Sequence, residues 1–255
     1  MEAGLLACHE LVGGMDEVGR GSLAGPVTVG LAVVGRRTLD AFPTTLADSK
    51  QLTPRRREAL VEPCCAWLLD WAVAHAAPAE IDALGIVGAL RLAGRRALAR
   101  VALRNHLPGA IILDGTADWL TEPGPDLLGS LAGSADAGDT AAGGAPALPA
   151  RLTPPVRMEV KGDARCAVVA AASVLAKVER DGLMADLPDP GYGWAANKGY
   201  ASAAHIAGLA RLGASDQHRR SWRLPGLDAS DRAARRARDR TATGASPPHD
   251  RPVAG

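Results

Sequence analysis

Four acidic residues stand out because each lies within or directly after an apolar segment. Asp16 and Glu17 interrupt the run GGMDEVG, Asp114 ends GAIILD, and Asp163 follows VRMEVKG. Burying an unpaired carboxylate costs roughly several kcal/mol, and convergent carboxylates repel one another. A bound divalent cation relieves both penalties, and oxygen ligands favour Mg²⁺ or Mn²⁺. A single strand-end Asp is also common as a helix cap or turn former, so the metal-site prediction requires that the four acids meet in space.

A Gly-rich turn, Gly19-Arg20-Gly21, follows the acid pair directly. Two glycines let a backbone approach a ligand closely, and their N–H groups can bind phosphate or sugar oxygens. Arg20 adds a positive charge. The same pattern is common in plain hairpin turns, so a structural role and a ligand-binding role both stay open.

Lysine is rare in this chain, so each of the few lysines is a candidate functional residue. Of 29 basic residues, only Lys50, Lys161, Lys177 and Lys198 are lysines. They are candidates for positions that need a compact ammonium group on a flexible stem. The net charge of +1 creates no global field for a nucleic acid, so local basic groups must do any such binding. His9, His75, His106 and His205 show no metal-ligand spacing.

Hydrophobic periodicity predicts how these residues are positioned. Residues 11–34 indicate two apolar strands joined by the Gly-rich turn. The apolar run 109–114 is typical of a strand buried on both faces of a parallel sheet. This element order indicates an α/β fold with a mixed sheet flanked by helices, in which ligands gather at strand ends. Further segments are predicted as a strand or helix at 66–75, a strand at 156–160, and helices at 54–60, 80–104, 166–184 and 203–212.

Composition predicts which parts of the chain are ordered. Residues 1–225 are expected to form one domain, interrupted by a flexible, low-complexity insertion at 116–155 and followed by a disordered Arg/Ala-rich tail at 226–255.

The four cysteines contain no C-x-x-C pair, which argues against a zinc site and for a reducing compartment. No signal peptide and no apolar run of membrane-spanning length is visible. A cytoplasmic protein without a membrane partner is expected.

Six segments of the chain together resemble a known family. The chain is similar to bacterial ribonuclease HII from about Met15 to Trp222, and the combination of motifs in the family's order is highly specific. The segments are GMDEVGRGSLAGPV, ADSKQLTPRRR at 47–57, ILDG at 112–115, KGDARCAVVAAASVLAKVERD at 161–181, NKGYASAAH at 197–205 and HRRSW at 218–222.

The resemblance implies a ribonuclease H-like, mixed five-stranded sheet flanked by helices, with a C-terminal helical region. It implies that Asp16, Glu17, Asp114 and Asp163 are the catalytic, metal-binding residues and hold one or two Mn²⁺ or Mg²⁺ ions. The implied reaction hydrolyses the RNA strand of RNA–DNA hybrids and cuts 5′ of single ribonucleotides embedded in duplex DNA. Water attacks in line, which leaves a 3′-hydroxyl and a 5′-phosphate.

The resemblance also implies substrate contacts. Gly19, Arg20 and Gly21 match the motif that senses the ribose 2′-hydroxyl, which distinguishes RNA from DNA. Tyr200 matches a tyrosine that stacks on the nucleotide after the junction. Lys50, Lys177 and Lys198 are expected to contact phosphate, and Ser49 and Ser173 to bind phosphate or support the acids. His218-Arg219-Arg220 is either a phosphate-binding patch or a packing element, and Ser22 stands where the family commonly has Pro.

Two other readings remain open from sequence. One is a related metal-dependent nuclease of the same fold, either similar to ribonuclease HIII or a junction resolvase. The other is a non-catalytic protein that binds hybrids, against which the four intact acids argue. In each case a monomer is expected.

Overall fold

The computed structural model describes residues 1–38, 42–46, 52–122 and 146–227. Ser49, Lys50 and almost all of the predicted tail therefore lie outside the described residues. The strands are β1 Leu11–Val18, β2 Val27–Gly35, β3 Asp70–Ala76, β4 Ala110–Asp114 and β5 Val156–Glu159. The helices are α1 Glu2–Leu6, α2 Pro54–Glu58, α3 Val61–Trp67, α4 Pro78–Ala102, α5 Gly162–Arg165, α6 Ala167–Asp186, α7 Trp194–Asn197 and α8 Ala203–Leu212.

The five strands form one mixed sheet in the order β3-β2-β1-β4-β5. The β1–β2 and β2–β3 pairs are antiparallel, whereas β1–β4 and β4–β5 are parallel. The predicted mixed five-stranded sheet is confirmed. In the β1–β4 register Met15 is opposite Leu113, so the next residues, Asp16 and Asp114, lie side by side near the carboxyl ends of the two strands.

Helices cover both faces of the sheet. Side chains alternate across a strand, so Met15 and Ile111 enter the core beneath α4, whereas Val12 and Ile112 enter the core beneath α6. A third apolar cluster holds the C-terminal region together and includes Tyr192, Trp194 and Leu209, with Leu23 from the turn after β1. The turn after β1 is thus packed against the C-terminal region.

Several element predictions need a boundary change or a correction. The segment 66–75 is divided, because α3 ends at Trp67 and β3 begins at Asp70. The prediction of a flexible insertion at 116–155 is wrong at both ends, because Trp119, Leu120 and Leu148 are buried in the core beside α4. Large apolar side chains in a Gly/Ala-rich setting gain enough from burial to fix these ends. Residues 123–145 lie outside the described residues.

The helix ends described here agree with the capping residues seen in the sequence. Thr53 caps α2 by accepting a hydrogen bond from the Arg56 backbone N–H, and α8 ends before Gly213, which has a positive φ. All four cysteines are free thiols. Among the described helices, none is both long and apolar enough to cross a membrane.

Helix α6 lies so close to the sheet that glycine is required beneath it. A Cβ built on Gly14 of β1 would lie 2.6 Å from the backbone carbon of Val168. At Gly30 of β2 a Cβ would collide with the backbone carbonyl of Ala172. This close approach brings the side chains of α6 to the edge where Asp16 lies.

We therefore expect Gly14→Ala to lower the free energy of unfolding by about 1–3 kcal/mol, because backbone atoms must shift to admit the methyl group. Gly182→Ala, within α6 but with open space around its Cβ position, is the matched control and should stabilise by about 0.5–1 kcal/mol. Urea unfolding measures both. A Gly14→Ala variant as stable as the parent chain would contradict the close packing.

Candidate active site

Three of the four predicted acids line one cleft at the carboxyl ends of β1 and β4. Asp16, Glu17 and Asp114 share a cavity of about 370 Å³ with Ser173 and Lys177 of α6. Val18, Arg57 and Val174 complete the lining. The parallel register of β1 and β4 brings the acids together, and the close packing of α6 supplies the serine and the lysine.

Asp16 is the most buried of the three, with 7% of its surface exposed. Its Oδ1 accepts a hydrogen bond of 2.8 Å from the Glu17 backbone N–H, and the Ser173 side chain also bonds to it. Burial raises the pKa of Asp16 to about 7, and repulsion from Asp114 and Glu17 contributes, although the bond with Ser173 opposes the rise. The cleft thus concentrates negative charge that a divalent cation would neutralise.

Asp114 is oriented by the chain that follows β5. The backbone N–H of Gly162 donates to Asp114 Oδ1 at 2.7 Å. Lys161, just before it, has a left-handed backbone with φ of 56°, and this turn leads the chain directly into α5. The conformation at Lys161 therefore places an amide donor at the acid cleft.

Asp163 lies next to the cleft without lining it. It is in the first turn of α5, one residue after Gly162, and only 2% of its surface is exposed. Among the described residues, no three acidic, His or Cys side chains are arranged to enclose a metal ion. The fourfold ligand set stays a prediction, in which Asp163 would complete a site that the other three acids form.

Two of the predicted phosphate contacts are described near the acids, and both have protein partners. Lys177 lines the cleft, and its Nζ bonds to Asp181 Oδ1 at 2.6 Å. Ser173 supports Asp16, which is one of its two predicted roles. Arg57 also lines the cleft. Sequence reasoning gave it no role, although it lies in the segment ADSKQLTPRRR.

The Gly-rich turn is close to the acids and largely open to solvent. Arg20 Nη1 lies 3.2 Å from Glu17 Oε1, and nearly half of the arginine side chain is exposed. Gly21 is exposed and has no atom within 4 Å of a Cβ position. The turn therefore places a cation and an accessible backbone at the rim of the cleft.

In the segment His218-Arg219-Arg220, the first two residues pack inside the protein and the third is exposed. His218 and Arg219 are buried, and Arg219 donates to the backbone carbonyls of Gly19 and Arg20. Arg220 is exposed and forms an ion pair with Asp216. A phosphate-binding role for the two buried residues is excluded by their burial.

Tyr200 is 40% exposed, and a pair of buried histidines holds its backbone. The Ser215 backbone N–H donates to His218 Nδ1, so His218 Nε2 carries the proton that it shares with His205 Nε2 at 3.0 Å. His205 Nδ1 then donates to the Tyr200 carbonyl at 2.9 Å. Burial lowers the pKa of His205, which favours this neutral arrangement. Both histidines were named in the sequence analysis, but their contact was not predicted, because His205 was considered only as a possible metal ligand.

Lys198 is placed two residues before Tyr200. It has a left-handed backbone with φ of 53°, and its carbonyl accepts a hydrogen bond from Arg180. The guanidinium of Arg180 also lies 5.7 Å from the centre of the Tyr200 ring. Both predicted substrate residues in this segment are therefore fixed through their backbone and through Arg180.

Comparison with known proteins assigns this arrangement to a family. The family model for ribonuclease HII matches residues 13–112 and 136–224. The chain belongs to the ribonuclease HII family. The ribonuclease HII of Streptomyces avermitilis is 43% identical over 215 residues, which cover 84% of this chain and 77% of the relative. The chain is therefore a hydrolase and an endoribonuclease of the ribonuclease H type, and the non-catalytic reading is not supported.

Solved structures confirm the fold of this ribonuclease HII family member. Ribonuclease H2 from Pyrococcus horikoshii OT3 aligns with a TM-score of 0.53 and 24% identity, covering 92% of this chain and 100% of the other. Bst-RNase HIII in complex with Mn²⁺ aligns with a TM-score of 0.55 and 19% identity, covering 94% of this chain and 75% of the other. The expected ribonuclease H-like fold is confirmed.

The titration of Asp16 predicts how stability depends on pH in EDTA. The folded chain keeps this proton up to about pH 7, whereas the unfolded chain releases it near the ordinary value of 3.8. The stabilising contribution is therefore present below pH 3.8 and is lost as pH rises through 7. It is on the order of a few kcal/mol.

Urea unfolding at several pH values between these limits measures the effect. Asp16→Asn removes the titrating group, so this loss of stability should shrink in the variant. Asp186→Asn, at the exposed end of α6, should keep the dependence of the parent chain. Equal pH dependence in the parent chain and the Asp16→Asn variant would show that another group is responsible.

Proposed function

We propose that this chain hydrolyses the RNA strand of RNA–DNA hybrids and cuts 5′ of single ribonucleotides embedded in duplex DNA. The products would carry 3′-hydroxyl and 5′-phosphate ends. The observation that supports this proposal most strongly is the convergence of Asp16, Glu17 and Asp114 in one cleft beside Lys177. Family membership supports the class of reaction, and the cleft supports the mechanism.

The donor set of the cleft fits a hard divalent cation. Its acidic ligands are all carboxylates, which suit Mg²⁺ and Mn²⁺. The pKa of Asp16 is raised first by burial and then by repulsion from Asp114 and Glu17, and a bound cation would oppose both effects. The structurally similar Bst-RNase HIII has been solved in complex with Mn²⁺. Mg²⁺ or Mn²⁺ held by Asp16, Glu17, Asp114 and Asp163 would activate the attacking water and stabilise the leaving 3′-oxygen.

The remaining groups of the cleft position the reactants. Ser173 holds Asp16, and the Gly162 amide holds Asp114, so both carboxylates keep a fixed orientation. Lys177 and Arg57 present positive charge to a phosphodiester in the same cleft. Lys177 would exchange its ion pair with Asp181 for a phosphate oxygen when substrate binds.

Substrate recognition is assigned to the rim of the cleft. Gly19, Arg20 and Gly21 would sense the ribose 2′-hydroxyl, while Lys198 binds phosphate and Tyr200 stacks on the following nucleotide. The exposure of Arg20, Gly21 and Tyr200 supports these roles. Action as a monomer in the cytoplasm, in the removal of ribonucleotides during DNA replication and repair, is part of the same proposal.

A DNA duplex that contains one ribonucleotide tests the proposal. With Mg²⁺ or Mn²⁺ we expect one cut 5′ of the ribonucleotide, and with EDTA no cut. Asp114→Asn should lower kcat/KM by at least about a hundredfold, because it removes a charged ligand from the cleft. Denaturing gels with end-labelled strands report the cut site and both end groups.

Asp186→Asn serves as the control, because Asp186 is exposed at the far end of α6, and it should cut at the parental rate. Cleavage in EDTA, or near-parental activity of Asp114→Asn, would contradict the metal mechanism. Failure to cut this duplex while an RNA–DNA hybrid is cut would remove the single-ribonucleotide activity from the proposal.

A further inference from the structure

A buried hydroxyl lies behind the Gly-rich turn. Ser22 is fully buried, and its Oγ is 2.9 Å from the Gly19 carbonyl and 3.1 Å from the Ala24 carbonyl. It also accepts hydrogen bonds from Nη2 of Arg180 at 2.7 Å and from Nη2 of Arg219 at 2.9 Å. One donor and two acceptor positions are all that a hydroxyl offers, so the capacity of Ser22 is fully used.

Arg219 connects this hydroxyl to the turn. Its Nη1 donates to the Arg20 carbonyl at 2.8 Å and its Nη2 to the Gly19 carbonyl at 2.6 Å. Its Nε donates to the Gly25 carbonyl. One guanidinium thus binds two carbonyls of the turn and a third carbonyl shortly after it, at Gly25.

Arg180 connects the same hydroxyl to the segment that carries Tyr200. Its Nη1 donates to the Lys198 carbonyl at 2.9 Å, and its Nε donates to the Pro26 carbonyl at 2.9 Å. The guanidinium also lies over the Tyr200 ring. A single side chain from α6 therefore links the residue just before β2, the Lys198 segment and the face of the Tyr200 ring.

The hydrogen-bond acceptors of the two buried guanidinium groups are carbonyls and a hydroxyl rather than carboxylates. In the part of the chain that the structure describes, neither Arg180 nor Arg219 forms an ion pair with a carboxylate. Burial, with repulsion from Arg180, lowers the pKa of Arg219 to about 10. Such an arrangement is costly without its full set of hydrogen bonds, and it leaves a positive potential beneath the turn.

The outer side of the turn keeps its donors available. Across the described ranges, the backbone N–H groups of Arg20 and Gly21 donate to no protein acceptor, and both residues are exposed. Amide donors above two buried positive charges suit an oxygen-rich, anionic ligand such as a phosphodiester with its adjacent ribose hydroxyl.

We propose that Arg180, Arg219 and Ser22 form a clamp that fixes the Gly19–Gly21 turn relative to Tyr200, so that discrimination for a ribose 2′-hydroxyl depends on these positioning residues. The clamp spans the distance between the two substrate contacts, which belong to segments far apart in the sequence. Backbone bonds from Leu23 and Ala24 to the Gly199 carbonyl reinforce the same junction. The inference rests on the proposed function, since it concerns the same two recognition segments.

Arg219→Lys tests the clamp, because lysine keeps the charge but its single nitrogen cannot reproduce the wide planar donor array that reaches the Gly19, Arg20 and Gly25 carbonyls. The measured quantity is a discrimination ratio: the inhibition constant of an all-DNA duplex divided by the KM for the same duplex with one ribonucleotide. We expect the ratio to fall roughly tenfold, through a higher KM for the ribonucleotide substrate. Arg220→Lys, the same change at the exposed neighbour, should leave the ratio unchanged.

Ser22→Ala provides a second variant that removes only the shared hydroxyl, with Ser221→Ala at an exposed serine as its control. It should lower the ratio in the same direction, and it decides the question if Arg219→Lys does not fold. If the discrimination ratio is unchanged, even with a lower unfolding midpoint, the clamp only stabilises the fold and the inference is overturned. Failure of the parent chain to cut the ribonucleotide duplex would instead overturn the proposed function itself.

Discussion

The burial of neighbouring carboxylates at the ends of β1 and β4 is the constraint on which the site depends. The parallel register places Asp16 beside Asp114, and α6 covers them closely enough to exclude most water from Asp16. A fold driven by stability alone would not put like charges there, because bringing carboxylates together out of water costs hydration and adds repulsion between them. The unfavourable arrangement is explained if a divalent cation belongs between them.

Helix α6 contacts both the acid cleft and the region where the Gly-rich turn meets the Tyr200 segment. Near its middle α6 supplies Ser173 and Lys177 to the cleft, and one turn later Arg180 reaches the Gly-rich turn and the Tyr200 segment. These contacts need α6 to lie close to the sheet, which glycine at position 14 permits. One helix therefore contacts both the acid cleft and the two segments that we propose for substrate recognition.

Much of the fold was predictable from sequence, because long apolar periodicities indicate the helices and strands and cap residues indicate where helices begin and end. The sequence context also singled out Asp16, Glu17 and Asp114, which line the cleft, since each ends or interrupts an apolar strand. Burial of Trp119 was missed because a low-complexity composition hides single large side chains that anchor to the core. The hydrogen bond between His205 and His218 and the role of Arg180 were missed for a different reason: these side chains also bind backbone carbonyls, which leave no trace in side-chain spacing. Asp163 shows the limit of spacing alone, because it is adjacent to the cleft without lining it.

The central claim is that the acids at the ends of β1 and β4 share a divalent cation. Anomalous diffraction from crystals grown with Mn²⁺ tests it most directly, because it locates the metal without reference to turnover. The account predicts a strong anomalous peak within coordinating distance of Asp16, Glu17 and Asp114, with Asp163 drawn toward it. A Mn²⁺ peak elsewhere, with these carboxylates left uncoordinated at saturating metal, would contradict it.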